Sequence, residues 1–135
     1  MRESVILFVC VHNAGRSQMA EAFVNALASQ QGLAVRAESA GTVGGKELNP
    51  NAVLVMQELG IGMEGHAPKL LTQDQVQRAT RIITMGCGVD AEQCPVRFLI
   101  SEDWGLDDPA GQGLDAVRAI RDQIRTKVEA LLASA

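Results

Sequence analysis

The chain has 135 residues, of which 47% are hydrophobic and 3% aromatic, and its formal net charge at pH 7 is −4. This length fits a single domain over residues 1–135, with a core of aliphatic side chains that needs no disulfide or metal support. The 12 basic residues form no cluster, which argues against a nucleic-acid-binding surface. We find neither a cleavable leader pattern nor an apolar stretch of the ~20 residues that span a bilayer, so we expect a cytoplasmic protein without a membrane partner.

Strands and helices are predicted to alternate along the chain. In chain order, the predicted elements are a buried strand over 5–9, a helix from an N-cap at Ser17 to about residue 30, a strand over 33–38 followed by a loop over 39–45, a helix from Asn49 and Pro50 to Gly60, a short helix capped by Thr72, strands over 81–85 and 96–100, and a long amphipathic helix over 114–132. This alternation favours one α/β domain, in which helices flank both faces of a central four-stranded parallel sheet.

The segment Cys10-Val11-His12-Asn13-Ala14-Gly15-Arg16-Ser17, here called the cradle segment, connects the first predicted strand to the first predicted helix. Open α/β sheets bind ligands at such strand ends, where backbone N–H groups and the helix N-terminus attract an oxyanion. Arg16 can clamp two oxygens of a tetrahedral oxyanion, and Gly15 permits tight backbone torsions. The same positive field would keep Cys10 a reactive thiolate, with Ser17 donating a hydrogen bond to its sulfur.

Two further residues of the cradle segment have less specific interpretations. Asn13 could fix the loop through its side-chain amide. His12 lies two residues after Cys10, but this spacing lacks the paired short intervals of structural zinc sites, so a loop histidine is the simpler interpretation. The alternative to an oxyanion site is a buried structural cysteine, with Arg16 in a surface salt bridge.

The chain has three cysteines, an odd number that does not suit a simple secreted disulfide framework. Cys87 follows the third predicted strand, so it would lie at the same sheet edge as Cys10 if the two strands are parallel. Helical geometry between Cys87 and Cys94 would place their α-carbons ~10 Å apart, beyond the ~7 Å limit of a disulfide. A bond between them would therefore require the intervening segment to loop or unwind. Two unrelated buried thiols are the alternative.

A candidate acid follows the fourth predicted strand. Departure of an oxygen leaving group is faster when a nearby acid supplies a proton, and Asp108, which precedes Pro109, is the candidate. Asp107 is the substitute candidate, and many Asp-Pro pairs only start turns. Trp104 and Leu106 are expected to pack this loop against the domain.

The cradle segment together with Asp108-Pro109 resembles the low-molecular-weight protein tyrosine phosphatase family. Four further features narrow the resemblance. They are the pair of Cys87 and Cys94, Ser39-Ala40-Gly41, Leu48-Asn49-Pro50-Asn51-Ala52 and Trp104-Gly105-Leu106-Asp107-Asp108-Pro109. With them, nearly the whole chain looks like the thioredoxin-coupled arsenate reductases of this fold. The ordered set of three cysteines is the most specific part of the resemblance.

The resemblance implies a reaction in which arsenate is reduced to arsenite, with phosphate or sulfate as competing oxyanions. The residues implied to bind arsenate are Val11, His12, Asn13, Ala14, Gly15, Arg16 and Ser17. The Cys10 thiolate would attack arsenic while Asp108 protonates the departing oxygen. Cys87 would then attack Cys10 and release arsenite, and Cys94 would attack Cys87 to leave a disulfide that reduced thioredoxin reduces. The implied role is arsenical resistance, and we expect a monomer.

The resemblance also bears on cofactors. No tightly bound cofactor is implied, because reduced thioredoxin supplies the electrons, although the interior of the cradle segment is similar to that of relatives coupled to a low-molecular-weight thiol. Some members bind potassium beside this loop, and Asn13, Glu21 and Ser39 match three of the ligands. The acidic ligand has no certain match, since the chain there reads Glu64-Gly65-His66.

Two other functions are open. A phosphatase acting on phosphotyrosine or a small phosphoester would use the same cradle and acid up to the covalent intermediate. Against it, the chain has no tyrosine, and Ala110-Gly111 follows the Asp-Pro pair, where tyrosine phosphatases of this fold carry aromatic residues. A non-enzymatic module that holds arsenite with three thiols would bind stoichiometrically without turnover.

Overall fold

The computed structural model describes residues 4–43, 47–63, 65–85, 102–106 and 111–133. The strands and helices within these ranges are, in chain order, β1 (Ser4–Cys10), α1 (Arg16–Gln31), β2 (Val35–Gly41), α2 (Pro50–Gln57), α3 (Gln73–Arg78), β3 (Arg81–Thr84), β4 (Glu102–Asp103) and α4 (Leu114–Ala133). Neighbouring strands pair in parallel in the order β2-β1-β3-β4, which confirms the predicted four-stranded parallel sheet. The predicted strand over 96–100 lies outside the described residues.

Strand β1 lies inside the sheet, and its side chains alternate between two cores. Ile6, Phe8 and Cys10 belong to the larger core, which also contains buried side chains of α1, α2 and α4. Leu7 and Val9 belong to a smaller core on the side of α3. A strand covered on both faces must be apolar at successive positions, which is the pattern that predicted it. Burying each large apolar side chain contributes roughly 1.5–3 kcal/mol, so β1 anchors both layers of helices.

Strand β2 extends further than the sequence predicts. The predicted loop over 39–45 is wrong for residues 39–41, which pair in register with residues 8–10 of β1. Pairing with a buried neighbouring strand outweighs the low strand propensity of these small residues. The extension carries Gly41 to the level of Cys10, the last residue of β1.

The predicted starts of α2 and α3 are confirmed. Asn49 accepts hydrogen bonds from the backbone N–H groups of Asn51 and Ala52, and Pro50 has the first helical position. Thr72 forms a reciprocal capping box at the start of α3. Such caps contribute about 1 kcal/mol each. Neighbouring side chains therefore accept hydrogen bonds from first-turn N–H groups at both helix ends.

The predicted N-cap at Ser17 is wrong. Helix α1 begins two residues earlier than predicted, at Arg16, with Gly15 in the N-cap position, and no side chain caps this end. The Ser17 hydroxyl instead contacts the sulfur of Cys10. The N-terminus of α1 is therefore open at the carboxyl edge of the sheet.

Helix α4 packs against α1 and α2 through the apolar stripe that its sequence predicts. The buried members of this stripe include Val117, Ile120, Ile124, Val128 and Leu131. Leu114, which the spacing also assigned to the stripe, is exposed at the start of the helix. In the part of the chain that the structure describes, no helix is long and apolar enough to cross a membrane.

Candidate active site

The cradle segment turns its carbonyl groups outward at the carboxyl edge of the sheet. Five of these carbonyls accept hydrogen bonds from neighbouring groups, and the pairs of acceptor and donor are Cys10 with Thr42, Val11 with Val43, Asn13 with Gln18, Ala14 with Asn49 and Gly15 with Met19. The C=O and N–H groups of a trans peptide point in opposite directions, so the N–H groups that follow these carbonyls point into the segment. The segment thereby forms a cup of N–H donors that suits an oxyanion.

The N-terminus of α1 contributes to this cup. Arg16, Ser17 and Gln18 of its first turn are buried, and Gly15 provides no side-chain cap. The first N–H groups of a helix have no partner within the helix and together carry a charge equivalent to about +0.5. A buried helix end without a cap requires another partner, and an anion in the cup would satisfy it.

Arg16 is held by backbone carbonyls. Its Nη1 donates to the carbonyl oxygens of Leu106 at 2.7 Å and Met85 at 3.3 Å, and only 6% of the residue is exposed. The alternative interpretation, in which Arg16 forms a surface salt bridge, is therefore wrong. A buried cation favours binding of an anion, and Nε and Nη2 can donate to two of its oxygens.

Two donors contact the buried sulfur of Cys10. The backbone N–H of Asn13 donates to Sγ at 3.1 Å, and the Ser17 hydroxyl lies 2.8 Å from it. Asn13 Nδ2 donates to Ser17 Oγ at 2.8 Å, so the hydroxyl accepts on that side and gives its own hydrogen to the sulfur. Cys10 is 4% exposed. This surrounding suits a sulfur that carries negative charge, as predicted for the nucleophile.

The backbone of the cradle segment depends on Asn13 and Gly41. Asn13 has φ = 57°, in the left-handed region, and Gly15 has φ = −137° and ψ = −84°, outside the helix and strand regions, which confirms the unusual torsions expected at Gly15. Asparagine tolerates the left-handed region because its short side chain can hydrogen-bond locally. A Cβ at Gly41 would lie 2.6 Å from the carbonyl oxygen of Val11 and 3.0 Å from the amide nitrogen of Asn13. Only glycine lets β2 approach the segment this closely.

Gly41 and Gln18 are site residues that sequence reasoning missed. Gly41 stood in a predicted loop, where glycine is unremarkable, and its close contact is with a segment about 30 residues earlier. Gln18 comes directly after the cradle segment, and no sequence pattern gave it a role in the site. The signal for Gly41 was the strand register, which places it opposite Cys10.

The candidate potassium ligands lie together, but donors already contact their oxygens. Ser39 Oγ donates to Glu21 Oε1 at 2.9 Å, and His66 Nδ1 lies 3.2 Å from Glu21 Oε2. Lys69 places its ammonium 3.7 Å from Glu21 Oε1 and its backbone N–H 2.8 Å from Asn13 Oδ1. The Lys69 ammonium already pairs with the Glu21 carboxylate in this arrangement, so binding of a potassium ion here would require the cluster to rearrange.

Several predicted residues fall outside the described ranges. They are Cys87, Cys94, Asp107 and Asp108. The described residues that precede them in the chain do contact the site, since Met85 and Leu106 both accept hydrogen bonds from Arg16. Trp104 and Leu106 are buried in the larger core, as predicted, and Trp104 packs against Phe8 with ring centroids 5.2 Å apart.

The chain matches known proteins over most of its length. A profile of the family described as low molecular weight phosphotyrosine protein phosphatase matches residues 5–135. The glutaredoxin arsenate reductase of Synechocystis sp. is 34% identical over 129 residues, which cover 95% of each chain.

Solved structures extend this similarity to the fold. An arsenate reductase in the phosphate binding state is 32% identical and superposes with a TM-score of 0.81 over 97% of this chain and 98% of that one. The thioredoxin-dependent arsenate reductase of Corynebacterium glutamicum is 32% identical, with a TM-score of 0.75 over 98% of this chain and 62% of that one. The chain therefore belongs to the low molecular weight phosphotyrosine protein phosphatase family, in which its relatives include arsenate reductases.

Proposed function

We propose that this protein reduces arsenate to arsenite, with Cys10 as the nucleophile. The observation that carries the proposal is the buried Cys10 sulfur, which receives two hydrogen bonds at a cup of N–H donors beside Arg16. A tetrahedral oxyanion and an activated sulfur would meet there. The relatives named arsenate reductase support arsenate as the oxyanion.

In the first step, arsenate binds to the N–H groups of residues 11–17 and to Arg16. Cys10 Sγ forms a bond to arsenic while one arsenic–oxygen bond breaks, and the oxygen leaves as water after protonation by Asp108. Asp108 lies two residues beyond Leu106, whose carbonyl accepts from Arg16. This contact of a residue two positions earlier in the chain supports Asp108 as the acid.

In the second step, the Cys87 thiolate attacks Cys10 Sγ. The sulfur–arsenic bond breaks, its electron pair stays on arsenic, and As(V) leaves as arsenite, As(III). Two thiols are thereby oxidised to one disulfide. Cys87 follows Met85 by two residues, and the Met85 carbonyl lies 3.3 Å from Arg16 Nη1, which supports Cys87 as the thiol that attacks Cys10.

In the third step, Cys94 attacks Cys87 and returns Cys10 to its thiolate form. The resulting disulfide between Cys87 and Cys94 would be reduced by thioredoxin, whose own dithiol becomes oxidised. The similarity to a thioredoxin-dependent arsenate reductase supports thioredoxin as the reductant. The similarity to a glutaredoxin arsenate reductase makes glutaredoxin the alternative reductant. Arsenate-dependent NADPH oxidation with thioredoxin and its reductase, compared with glutathione and glutaredoxin, decides between them.

Single-turnover reduction by the pre-reduced protein tests the relay. We expect one arsenite per chain and a disulfide between Cys87 and Cys94, mapped by peptide mass spectrometry. Cys94→Ser should stop at the bond between Cys10 and Cys87, and Cys10→Ser should produce no arsenite. Stoichiometric arsenite binding without any reduction of arsenate would contradict the proposal and favour a metalloid-binding module.

A phosphatase is the second candidate, because the cup and Arg16 would hold phosphate as they hold arsenate and the family profile is that of phosphatases. Cys10 Sγ would then attack phosphorus, the ester P–O bond would break with the alcohol leaving after protonation by Asp108, and water would hydrolyse the resulting phosphocysteine. The Cys87→Ser variant separates the two activities. We expect it to lose arsenate turnover and to keep any hydrolysis of para-nitrophenyl phosphate, whereas equal loss of both would contradict the relay.

A further inference from the structure

Gln18 is a fully buried polar residue behind the cradle segment, with 0% of its surface exposed. Its Nε2 lies 3.2 Å from the carbonyl oxygen of Asn13, 2.9 Å from Asn13 Oδ1 and 2.9 Å from the carbonyl oxygen of Ala67. Its Oε1 lies 2.9 Å from His66 Nδ1. Gln18 thus joins the cradle segment to residues 66–67.

The orientation of the Gln18 amide follows from its neighbours. Backbone carbonyls accept hydrogen bonds but cannot donate them, so the atom that faces Asn13 O and Ala67 O must be the nitrogen. Oε1 therefore faces His66, whose Nδ1 must carry a hydrogen. That nitrogen also lies 3.2 Å from Glu21 Oε2, a second acceptor. Gln18 is consequently held from both ends.

Gln18 and the backbone N–H of Lys69 together set the orientation of the Asn13 amide. Asn13 Oδ1 accepts from Gln18 Nε2 and from the backbone N–H of Lys69, which leaves Asn13 Nδ2 to donate to Ser17 Oγ. The Ser17 hydrogen is then directed to Cys10 Sγ. If the Asn13 amide turned over, its oxygen would face Ser17 Oγ and would compete with the sulfur for that hydrogen.

We propose that Gln18 is a positioning residue for Cys10, which it never touches. Its amide holds the Asn13 amide in the orientation that keeps the Ser17 hydrogen on Cys10 Sγ. The proposal rests on Cys10 being the nucleophile of the proposed function, but not on arsenate being the substrate.

The test is the pH dependence of Cys10 alkylation by iodoacetamide in the reduced, full-length protein, followed at the Cys10 peptide by mass spectrometry. Gln18→Met removes the donor to Asn13 and Ala67 and the acceptor that faces His66. We expect the pH midpoint of alkylation to rise by about one unit, equivalent to a roughly tenfold smaller thiolate fraction below the midpoint. Gln75→Met is the matched control, because Gln75 is also buried but hydrogen-bonds to Thr72 and Ser39 and to no residue of the cradle segment. Its midpoint should not move.

A double-mutant cycle distinguishes positioning from general loosening. Ser17→Ala removes the donor that Gln18 is proposed to orient, so Gln18→Met should shift the midpoint much less in that background. An equal shift in both backgrounds, or no shift in Gln18→Met, would overturn the proposal.

A second variant keeps the test decisive if Gln18→Met does not fold. His66→Leu removes the far anchor of Gln18 and leaves Gln18 in place. A smaller upward shift supports the proposal, and an unchanged midpoint overturns it. The proposed function and this inference can fail separately. If the wild type does not turn over arsenate but Gln18→Met still raises the pH midpoint of Cys10 alkylation, the proposed function is wrong and this inference stands.

Discussion

The buried polar groups of the cradle segment and the ion pairs between surface elements hold the protein in different ways. Asn13, Ser17 and Gln18 are fully buried, and each side chain contacts defined partners. The exposed pairs, such as Glu58 with Arg118, lie in solvent, where water and salt weaken them. Burial makes a hydrogen bond directional and costly to lose. Hydrogen bonds of the cradle segment therefore fix the orientation of its side chains, while the surface pairs adjust stability by small amounts.

The largest expected effect comes from Arg16→Lys. A lysine ammonium is a point charge that cannot reproduce the planar donation to the Leu106 carbonyl and to two anion oxygens at once. We expect kcat/KM for arsenate to fall by about 100-fold or more. Arg121→Lys is the matched control, because Arg121 is similarly buried and donates to the Val55 carbonyl but pairs with Glu58. If both variants lost activity equally, the distinction between the two regions would fail.

Gly41→Ala tests the close approach of β2 to the cradle segment. The new Cβ would lie 2.6 Å from the carbonyl oxygen of Val11, so either the strand or the loop must move. We expect the free energy of unfolding to fall by about 1–3 kcal/mol, with a loss of phosphate binding. Denaturant unfolding and phosphate titration measure the two effects. Gly113→Ala, where nothing lies within 4 Å of the added Cβ, should leave phosphate binding unchanged.

Glu38→Gln tests the surface pairs through pH. The hydrogen bond from Arg78, with a further one from Arg36, lowers the pKa of Glu38 below its ordinary value of 4.5. Glu38 therefore stabilises the fold above that ordinary value, and the contribution disappears as the pH falls through the lower folded pKa. We expect the variant to lose less than about 1 kcal/mol at pH 7, and the difference from the wild type to disappear as the pH falls through the folded pKa of Glu38. A pH-independent difference would contradict this account.

Potassium provides the smallest expected effect. Because Ser39, His66 and Lys69 already contact the Glu21 carboxylate, activity should be the same within about twofold in potassium and sodium salts of equal ionic strength. Saturable stimulation by potassium alone would show that this cluster rearranges around the ion.

Local signals predicted the fold well where each element carries its own pattern. The apolar run of β1, the caps at Asn49 and Thr72 and the stripe of α4 act within a few residues, so the sequence alone was sufficient to find them. The end of β2 and the start of α1 were misplaced. The end of β2 is set by pairing with β1, about 30 residues earlier, and Ser17 contacts Cys10 instead of capping α1; no local helix or strand pattern records either contact.

The sequence by itself determined that Cys10, Arg16 and Ser17 lie between a buried strand and a helix, and predicted an oxyanion site there, because spacing and residue chemistry are local properties. Only the tertiary structure decided which groups orient them. Gly41 must lack a side chain, Gln18 must face Asn13, and donors fill the candidate potassium cluster. These outcomes depend on segments that the parallel sheet brings together from distant parts of the chain, and buried hydrogen bonds then allow each group only one orientation.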